Sequence, residues 1–447
     1  MLDLHIANAR LVDLDNGAES VRDIHVADGR IVALADAGAP AHRVIDAEGA
    51  LVIPGLVDTH VHLTPELSGR FGFRMLARAG VTTALDMAGP VSELKDYVPR
   101  FGVGLSLYSL ESLRPGVNIP DADPDRDTLM RFAREAVAQG CFGIKILGGH
   151  FPLTPEASRR AIEVAAELGI HIAMHSGTTA TRSDIVGMRE SIELAGDEFL
   201  HVAHVNSYCR GRHRHPVHEA MEAIQLLDGK ANLVSESYLS PYNAARSGLD
   251  AGGGFASNII DNSLKALGYE PTVEGLKAAF LDDKAQMNVA RGEDMALATG
   301  PEGWAEWQAL DFKPRICFPV NSFPAQALIA MARSADGRFV VNALATDGGG
   351  IPRNDTLEAG LGLVEAGLIS LVDFIRKSCR DGARQILRRD DIGEIAPGMR
   401  ADIVVLDEAK RAPRVVIYGG SVICESGEIA RSGKGELNGV PVETALA

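Results

Sequence analysis

The chain has 447 residues, of which 46% are hydrophobic, and its formal net charge is −16. This composition predicts a large folded core and not an intrinsically disordered chain. A strongly acidic chain lacks the basic surface that binds nucleic acids or anionic membranes, so we expect neither as a partner. The first residues lack the pattern of a secretory signal, and no run of about 18 apolar residues occurs. Five widely spaced cysteines suit a reducing compartment, and we expect a cytoplasmic protein.

The two ends of the chain predict short β-strands. In the first fifty residues these lie at 4–6, 10–12, 24–26 and 31–33, with a hairpin turn at residues 28–30. The last fifty residues show a similar pattern of short strands, with apolar strands at 401–406 and 415–423. Because neither layer alone can cover its apolar face, we predict that residues 1–53 and 395–447 form one β-sandwich domain.

Between these ends, predicted strands alternate with helical segments such as 128–139 and 155–168, which is typical of βαβ units. Eight strands are predicted, at 56–62, 81–87, 103–110, 142–147, 169–175, 199–205, 231–238 and 338–346. Eight such units predict an α/β fold, a (β/α)8 TIM barrel over residues 54–394. The stretch between the last two strands is too long for one connection, so we predict an insert at about 243–335 that forms a lid over the pocket.

Ionisable side chains lie at the ends of several predicted strands. His60 and His62 share one face of the first strand, because side chains alternate along a strand. Later strands carry one such group each: Lys145, His175, His204 and Asp347. In a (β/α)8 barrel the carboxyl ends of the strands meet at one rim, so we expect these six groups to converge there.

Each group also has a simpler interpretation. A His-x-His pair can be accidental, a buried histidine can be a satisfied core residue, and Asp347 before three glycines can be a turn residue. His201 faces away from His204 if both lie on one strand, so we expect it to pack or to support the site. The loop residues His213, His215 and His218 are a weaker candidate for a second metal site or an anion site. Together, the six groups outweigh the simpler interpretations.

This arrangement resembles the amidohydrolase superfamily. The resemblance includes residues 54–62 (PGLVDTHVH) and 397–406 (PGMRADIVVL) and covers nearly the whole chain. It implies a binuclear centre of the carboxylated-lysine type, with one divalent metal on His60, His62 and Asp347 and the other on His175 and His204. Lys145, carboxylated by CO2, would bind both ions. Imidazole and carboxylate ligands favour zinc, and manganese, cobalt and iron stay open.

The resemblance also implies an activity, hydrolysis of a carbon–nitrogen amide bond by a metal-bridging hydroxide, with Asp347 as the catalytic proton carrier. Local features are similar to N-acyl-D-amino-acid deacylases and isoaspartyl dipeptidases, which implies a small carboxylate-bearing substrate, an N-acyl amino acid or a dipeptide. The candidate substrate-binding residues are Asn206, Arg210, Arg212, Tyr238 and Arg353.

Other interpretations stay open. The predicted second strand, 81–87, has no cysteine, whereas those deacylases commonly use a cysteine bridge there. A cyclic amidase of the hydantoinase or dihydroorotase type is therefore the alternative enzyme. A non-catalytic amidohydrolase-like scaffold is the alternative from another class. The sequence does not fix the number of subunits and is compatible with a homo-oligomer.

Overall fold

The computed structural model describes residues 1–65, 68–309, 315–430 and 432–445. The predicted insert and the predicted C-terminal domain segment each include a few residues outside these ranges. None of the described helices is both long enough and apolar enough to cross a membrane.

The N-terminal segment forms a four-stranded sheet. Its strands are β1 (Leu2–Val12), β2 (Glu19–Ala27), β3 (Arg30–Ala35) and β4 (Ala41–Asp46), in the order β3-β2-β1-β4. Strand β1 pairs antiparallel with β2 and parallel with β4. A short strand, β5 (Val52–Pro54), then leads into the barrel.

The barrel follows, as predicted. Its first seven strands are β6 (Leu56–His62), β7 (Val81–Asp86), β8 (Ser106–Leu113), β9 (Gly143–Leu147), β10 (His171–His175), β11 (Leu200–Val202) and β12 (Leu233–Tyr238). Neighbouring strands pair in parallel. The helices between them are α1 (Gly69–Arg78), α2 (Val91–Phe101), α3 (Arg126–Ala138), α4 (Pro155–Leu168), α5 (Ile185–Ala195) and α6 (Pro216–Leu227). A 3-10 turn, Val205–Tyr208, follows β11.

The insert between the last two barrel strands has a sheet of its own. Its elements are β13 (Asn243–Arg246), α7 (Asn258–Ala266), α8 (Val273–Leu281), β14 (Gln286–Arg291), β15 (Asp294–Ala298), α9 (Gly300–Ala309) and β16 (Arg315–Phe318). Buried residues of these elements, among them Phe280, Trp307 and Ile316, form a separate hydrophobic core. The next helix, α10 (Phe323–Met331), packs on α6 of the barrel. The part with its own core is thus shorter than the predicted 243–335.

The eighth barrel strand is split in two around Asp347. Its halves are β17 (Ala343–Ala345), which pairs with β12, and β18 (Gly348–Gly349), which pairs with β6. The backbone N–H of Asp347 also donates to the carbonyl of His60, at 2.8 Å. Since the two halves are adjacent in the chain and bond to opposite ends of the sheet, the barrel closes. The strand predicted at 338–346 is regular only over Ala343–Ala345, and Asp347, in a left-handed conformation with φ of 51°, separates it from β18.

The chain returns to the β-layer after helices α11 (Thr356–Glu365) and α12 (Leu371–Ile375), which continues as π-helical turns at Arg376–Arg380 and Gly382–Ile386. Strands β19 (Ile403–Asp407), β20 (Ala412–Tyr418), β21 (Ser421–Glu425) and β22 (Glu428–Ile429) form a second sheet that includes β5. A 3-10 turn, Glu408–Lys410, joins β19 to β20. This sheet shares one core with the N-terminal sheet, in which Leu4 and Val26 pack with Ile403 and Ile417. The predicted fold class, a TIM barrel with a β-sandwich built from both ends, is confirmed.

The last hairpin differs from the expectation. It comprises β23 (Ser432–Leu437) and β24 (Val440–Ala445), and β23 pairs in parallel with β8 of the barrel and not with the sandwich. The hydroxyl of Ser106 donates to the Glu436 carboxylate at 2.9 Å, and Leu437 is buried. Polar and apolar contacts with β8 thus hold the hairpin on the barrel.

Candidate metal centre

The two histidines of the first barrel strand lie beside the aspartate of the last. The Nε2 atom of His62 is 2.9 Å from Oδ1 of Asp347, and Nε2 of His60 is 3.4 Å from the same oxygen. One donor atom from each of these residues lies within 4.8 Å of the other two. Two imidazoles and a carboxylate at this spacing can bind one divalent cation.

A residue that the sequence analysis missed, Glu236 on β12, orients the first of these ligands. Its buried carboxylate accepts hydrogen bonds from His60 Nδ1 and His201 Nε2, both at 2.5 Å, and from the backbone N–H of His204 at 2.8 Å. Burial raises the pKa of Glu236, but His201 and His60 together hold it well below its usual value. Because an ionised carboxylate only accepts, His60 carries its proton on Nδ1 and directs the Nε2 lone pair into the site. The sequence signal for Glu236 was the presence of an acidic residue within the apolar predicted strand 231–238.

Lys145, on β9, lies fully buried among these groups. Its Nζ atom is 3.4 Å from His60 Nε2, and only 1% of the residue is exposed. Burial lowers the pKa of Lys145 to about 8, although the charges of Glu236 and Asp347 act in the opposite direction. An amine in this environment is partly uncharged near neutral pH, and only the uncharged form can react with CO2.

The histidines of the fifth and sixth strands form a second pair. His175 Nδ1 and His204 Nε2 are 3.0 Å apart, and the rings of His204 and His60 are stacked with centroids 5.0 Å apart. Burial lowers the pKa of both His175 and His204 well below the ordinary value, which favours neutral rings with lone pairs for a metal. Strand β11 ends at Val202, and His204 has a left-handed backbone with φ of 34°.

Asp347 is fixed by an arginine. Oδ2 of Asp347 is 2.6 Å from Nη2 of Arg353, and Nε of Arg353 donates to the Asp347 carbonyl at 2.7 Å. Burial alone raises the pKa of Asp347, but Arg353, His60 and His62 hold it well below its usual value. The third donor group of Arg353, Nη1, bonds to the carbonyl of Tyr242 at 3.0 Å. Arg353, which the sequence predicts as a substrate-binding candidate, therefore also positions Asp347.

Three other predicted substrate-binding residues form a connected group near this arginine. Arg210 Nη2 donates to the Tyr238 hydroxyl at 2.9 Å, and Oδ1 of Asn206 accepts from the Tyr238 backbone N–H at 3.1 Å. The ring of Tyr238 lies 5.0 Å from the Arg353 guanidinium. Within the described residues, Nδ2 of Asn206 is buried without a hydrogen-bond partner. The remaining candidate, Arg212, is exposed.

The histidine-rich loop contains no metal cluster among the described residues. His213 Nε2 instead lies 3.0 Å from Oδ2 of Asp184, at the start of α5. The ring centroids of His215 and His218 are 5.9 Å apart. The backbone N–H groups of Gly211, His213 and Arg214 donate to the buried Glu219 carboxylate. This loop is held by Glu219 and Asp184.

A second residue that sequence reasoning missed, Arg315, comes from the insert. Its Nε atom is buried and has no hydrogen-bond partner within the described ranges. Burial lowers the pKa of Arg315 to about 10, the positive charges of Arg246 and Arg353 lower it further, and Asp347 acts in the opposite direction. The positive charges of Arg246 and Arg353 and the negative charge of Asp347 thus all act on this guanidinium. No sequence signal was available, because the insert strand has no fixed place in a barrel pattern.

The donor set fits two divalent cations. One group of ligands is His60, His62 and Asp347, the other is His175 and His204, and the Lys145 amine lies beside His60. Neutral imidazoles and a carboxylate are ligands that suit zinc and its neighbours in the first transition row.

Known proteins share both the fold and the sequence pattern. Solved structures similar to the chain include a D-aminoacylase with a binuclear metal centre (TM-score 0.66, 15% identity, 99% of this chain and 100% of that one). Another is dihydropyrimidinase from Brevibacillus agri (TM-score 0.64, 16% identity, 100% of both chains). In sequence, the imidazolonepropionase of Salinispora arenicola is 26% identical over 378 residues, which cover 82% of this chain and 80% of the relative.

The solved structures share the fold, a (β/α)8 barrel with an added β domain. A sequence profile of the amidohydrolase family matches residues 51–297, more than half of the chain, and the chain belongs to that family. It is therefore an enzyme that hydrolyses carbon–nitrogen bonds. The resemblance inferred from the first strand and from the strand-end residues is confirmed.

Proposed function

We propose that the chain is a metal-dependent amidohydrolase that cleaves the amide bond of a small carboxylate-bearing molecule, an N-acyl amino acid or a dipeptide. The observation that supports this most is the meeting of His60, His62, Asp347 and Lys145, which come from three different barrel strands. The His175–His204 pair lies against the same group, since His204 stacks on His60.

In this proposal His60, His62 and Asp347 would hold one ion, His175 and His204 would hold the other, and Lys145, once carboxylated on Nζ, would supply a further ligand group. Zinc is the ion we propose. When bound, such ions polarise a carbonyl and lower the pKa of water from about 15.7 toward 7. The buried, partly uncharged amine of Lys145 supports its carboxylation.

The protein groups then carry out the proton transfers. Asp347 is ionised, because its pKa lies well below the usual value, so it can accept the proton of the attacking water. It would pass this proton to the leaving nitrogen, which otherwise departs poorly as an amide anion. Arg353 holds Asp347 in position through two hydrogen bonds, and Glu236 keeps the His60 proton on Nδ1.

A carboxylate on the substrate is supported by Arg315. Among the described residues, the buried Nε atom of Arg315 has no hydrogen-bond partner, which is costly. A carboxylate is the group that a guanidinium binds best, often with two hydrogen bonds. Arg246 and Arg353 add positive charge around Arg315. We propose that the substrate carboxylate binds at Arg315, which the insert contributes to the site.

A cyclic amidase is the second candidate. Dihydropyrimidinase has the same fold over the full length of both chains, and strand β7 (Val81–Asp86) contains no cysteine for a deacylase-type bridge. The residues that hold the ions would be the same in both candidates. The non-catalytic scaffold is not supported, because family membership and all six strand-end groups favour an enzyme.

The test is a substrate comparison with the metal-loaded protein. We expect turnover of N-acyl amino acids or dipeptides and at least ten-fold lower kcat/KM for the same compounds with the carboxylate converted to an amide. Turnover of hydantoins or dihydroorotate, with none of the open-chain compounds cleaved, would contradict the first proposal and support the second.

The five free, buried cysteines support a cytoplasmic location, which we also propose.

A further inference from the structure

A second cluster of metal-ligating side chains lies on the N-terminal sheet, outside the catalytic centre. His5 on β1 and His25 on β2 are directly opposite each other, and Asp23 lies two residues before His25 on the same face of β2. His5 Nε2 is 2.8 Å from Asp23 Oδ2, and the two imidazole rings have centroids 5.2 Å apart. One donor atom of each residue lies within 4.8 Å of the other two.

These residues lie on the face of the sheet opposite the sandwich core. Their neighbours Leu4 and Ile24 point into that core, and side chains alternate along a strand. His5 and His25 are nevertheless buried, at 7% and 9% exposure. The loop between β3 and β4 explains the burial of His5, since a Cβ atom on Gly38 would lie 2.6 Å from the His5 ring.

One possible metal-ligand atom of the cluster has no hydrogen-bond partner among the described residues. Nε2 of His25 is buried and has no hydrogen-bond partner in the part of the chain that the structure describes. A buried imidazole nitrogen without a partner costs free energy that a ligand can offset. The Asp23 carboxylate is also held in position. The backbone N–H of Asn8, at a β-bulge, donates to Asp23 Oδ1 at 2.9 Å, so that Oδ2 faces His5.

We propose that His5, Asp23 and His25 form a structural divalent-metal site, with zinc as the preferred ion and water as the fourth ligand. In tetrahedral zinc sites, bonds of about 2.0–2.1 Å place ligand atoms about 3.3 Å apart. The His5–Asp23 pair is only half an ångström closer than this, so a small side-chain rotation accommodates the ion. Asp23 keeps 15% of its side chain exposed, which gives the ion a path from solvent. The bound ion would tie β1 to β2, and the site is independent of the proposed catalytic function.

The test uses the full-length chain, stripped of metal with a chelator and then equilibrated with zinc. We compare wild type with Asp23→Asn and His25→Gln, which preserve side-chain size. The matched control is His42→Gln, which changes an exposed histidine on the neighbouring strand β4. Zinc per chain and the zinc-dependent rise in Tm are measured for each protein.

We expect Asp23→Asn and His25→Gln to bind one zinc ion fewer per chain than wild type, and His42→Gln to bind the same number. Equal zinc counts and equal Tm shifts in all four proteins would overturn the proposal. The comparison leaves the catalytic residues unchanged, so it is unaffected if the proposed hydrolase activity fails. Should a variant not fold, hydrogen exchange of wild type decides: slower exchange in β1 and β2 with zinc supports the site, and unchanged exchange refutes it.

Discussion

Replacing Glu236 with glutamine tests whether this residue sets the state of the metal ligands. If the amide oxygen takes the place of Oε1, it still accepts from His60 Nδ1 and from the His204 backbone N–H. The amide NH2 then faces Nε2 of His201, which carries a proton in the wild type. His201 must therefore move its proton to Nδ1, where His171 Nε2 is 3.1 Å away.

The new tautomer of His201 also requires a change of tautomer in His171. Nε2 of His171 must become the acceptor, so its proton moves to Nδ1, an atom that is buried and has no partner in the described residues. An unsatisfied buried donor costs about 1–3 kcal/mol. The bond from His60 also changes from charge-assisted to neutral, which removes about 1 kcal/mol more. The free energy of unfolding should thus fall by about 2–4 kcal/mol.

Metal binding should weaken as well, by about 10- to 100-fold, because a neutral amide makes the His60 ring a poorer donor and holds it less firmly. Competition against a chelating dye measures the affinity, and thermal unfolding of metal-free protein measures the stability. The matched control is Glu219→Gln, which changes a buried carboxylate whose hydrogen-bond donors within the described ranges are all backbone N–H groups. It should lose stability with unchanged metal affinity. Wild-type metal affinity in Glu236→Gln would refute the reasoning.

Three further predictions concern residues around the centre. Lys145→Met should abolish tight binding of the second ion, yet stabilise the metal-free protein by at most about 3 kcal/mol at pH 7. The pKa of Lys145 is lowered from 10.5 to about 8 in the folded protein, so the protonated amine opposes folding at pH values below about 8. Calorimetry with and without metal measures both effects. Arg353→Gln should raise the pKa of Asp347 and move the acid limb of the kcat/KM profile to higher pH, because a nearby positive charge is lost; an unmoved limb would contradict this. Arg315→Gln should raise KM for carboxylate-bearing substrates about 10- to 100-fold and leave their amide analogues unchanged, as steady-state kinetics can show.

The sequence sufficed for the fold and for the approximate position of the centre, because strand periodicity and the (β/α)8 rule locate strand ends without any knowledge of contacts. His60 and His62 follow from alternation on one strand. The direction of His204 does not follow from alternation, since it depends on a left-handed backbone two residues after a strand that ends at Val202.

Contacts between distant strands were beyond pattern analysis. Glu236 lies 176 residues from His60, and nothing local marks it as the partner of that ring. The importance of Arg315 depends on how the insert folds over the barrel. The sequence pattern of the final hairpin is like that of the sandwich strands and predicts pairing there, whereas tertiary contacts such as that of Glu436 with Ser106 hold it on the barrel.

The central claim is that two cations lie among these six groups and that the Lys145 amine is carboxylated. Anomalous diffraction from crystals of zinc-loaded protein grown with bicarbonate tests it most directly. We predict two anomalous peaks, one at His60, His62 and Asp347 and one at His175 and His204, with added density continuous with Lys145 Nζ between them. A single peak with an unmodified Lys145, or peaks only at other places, would contradict the account.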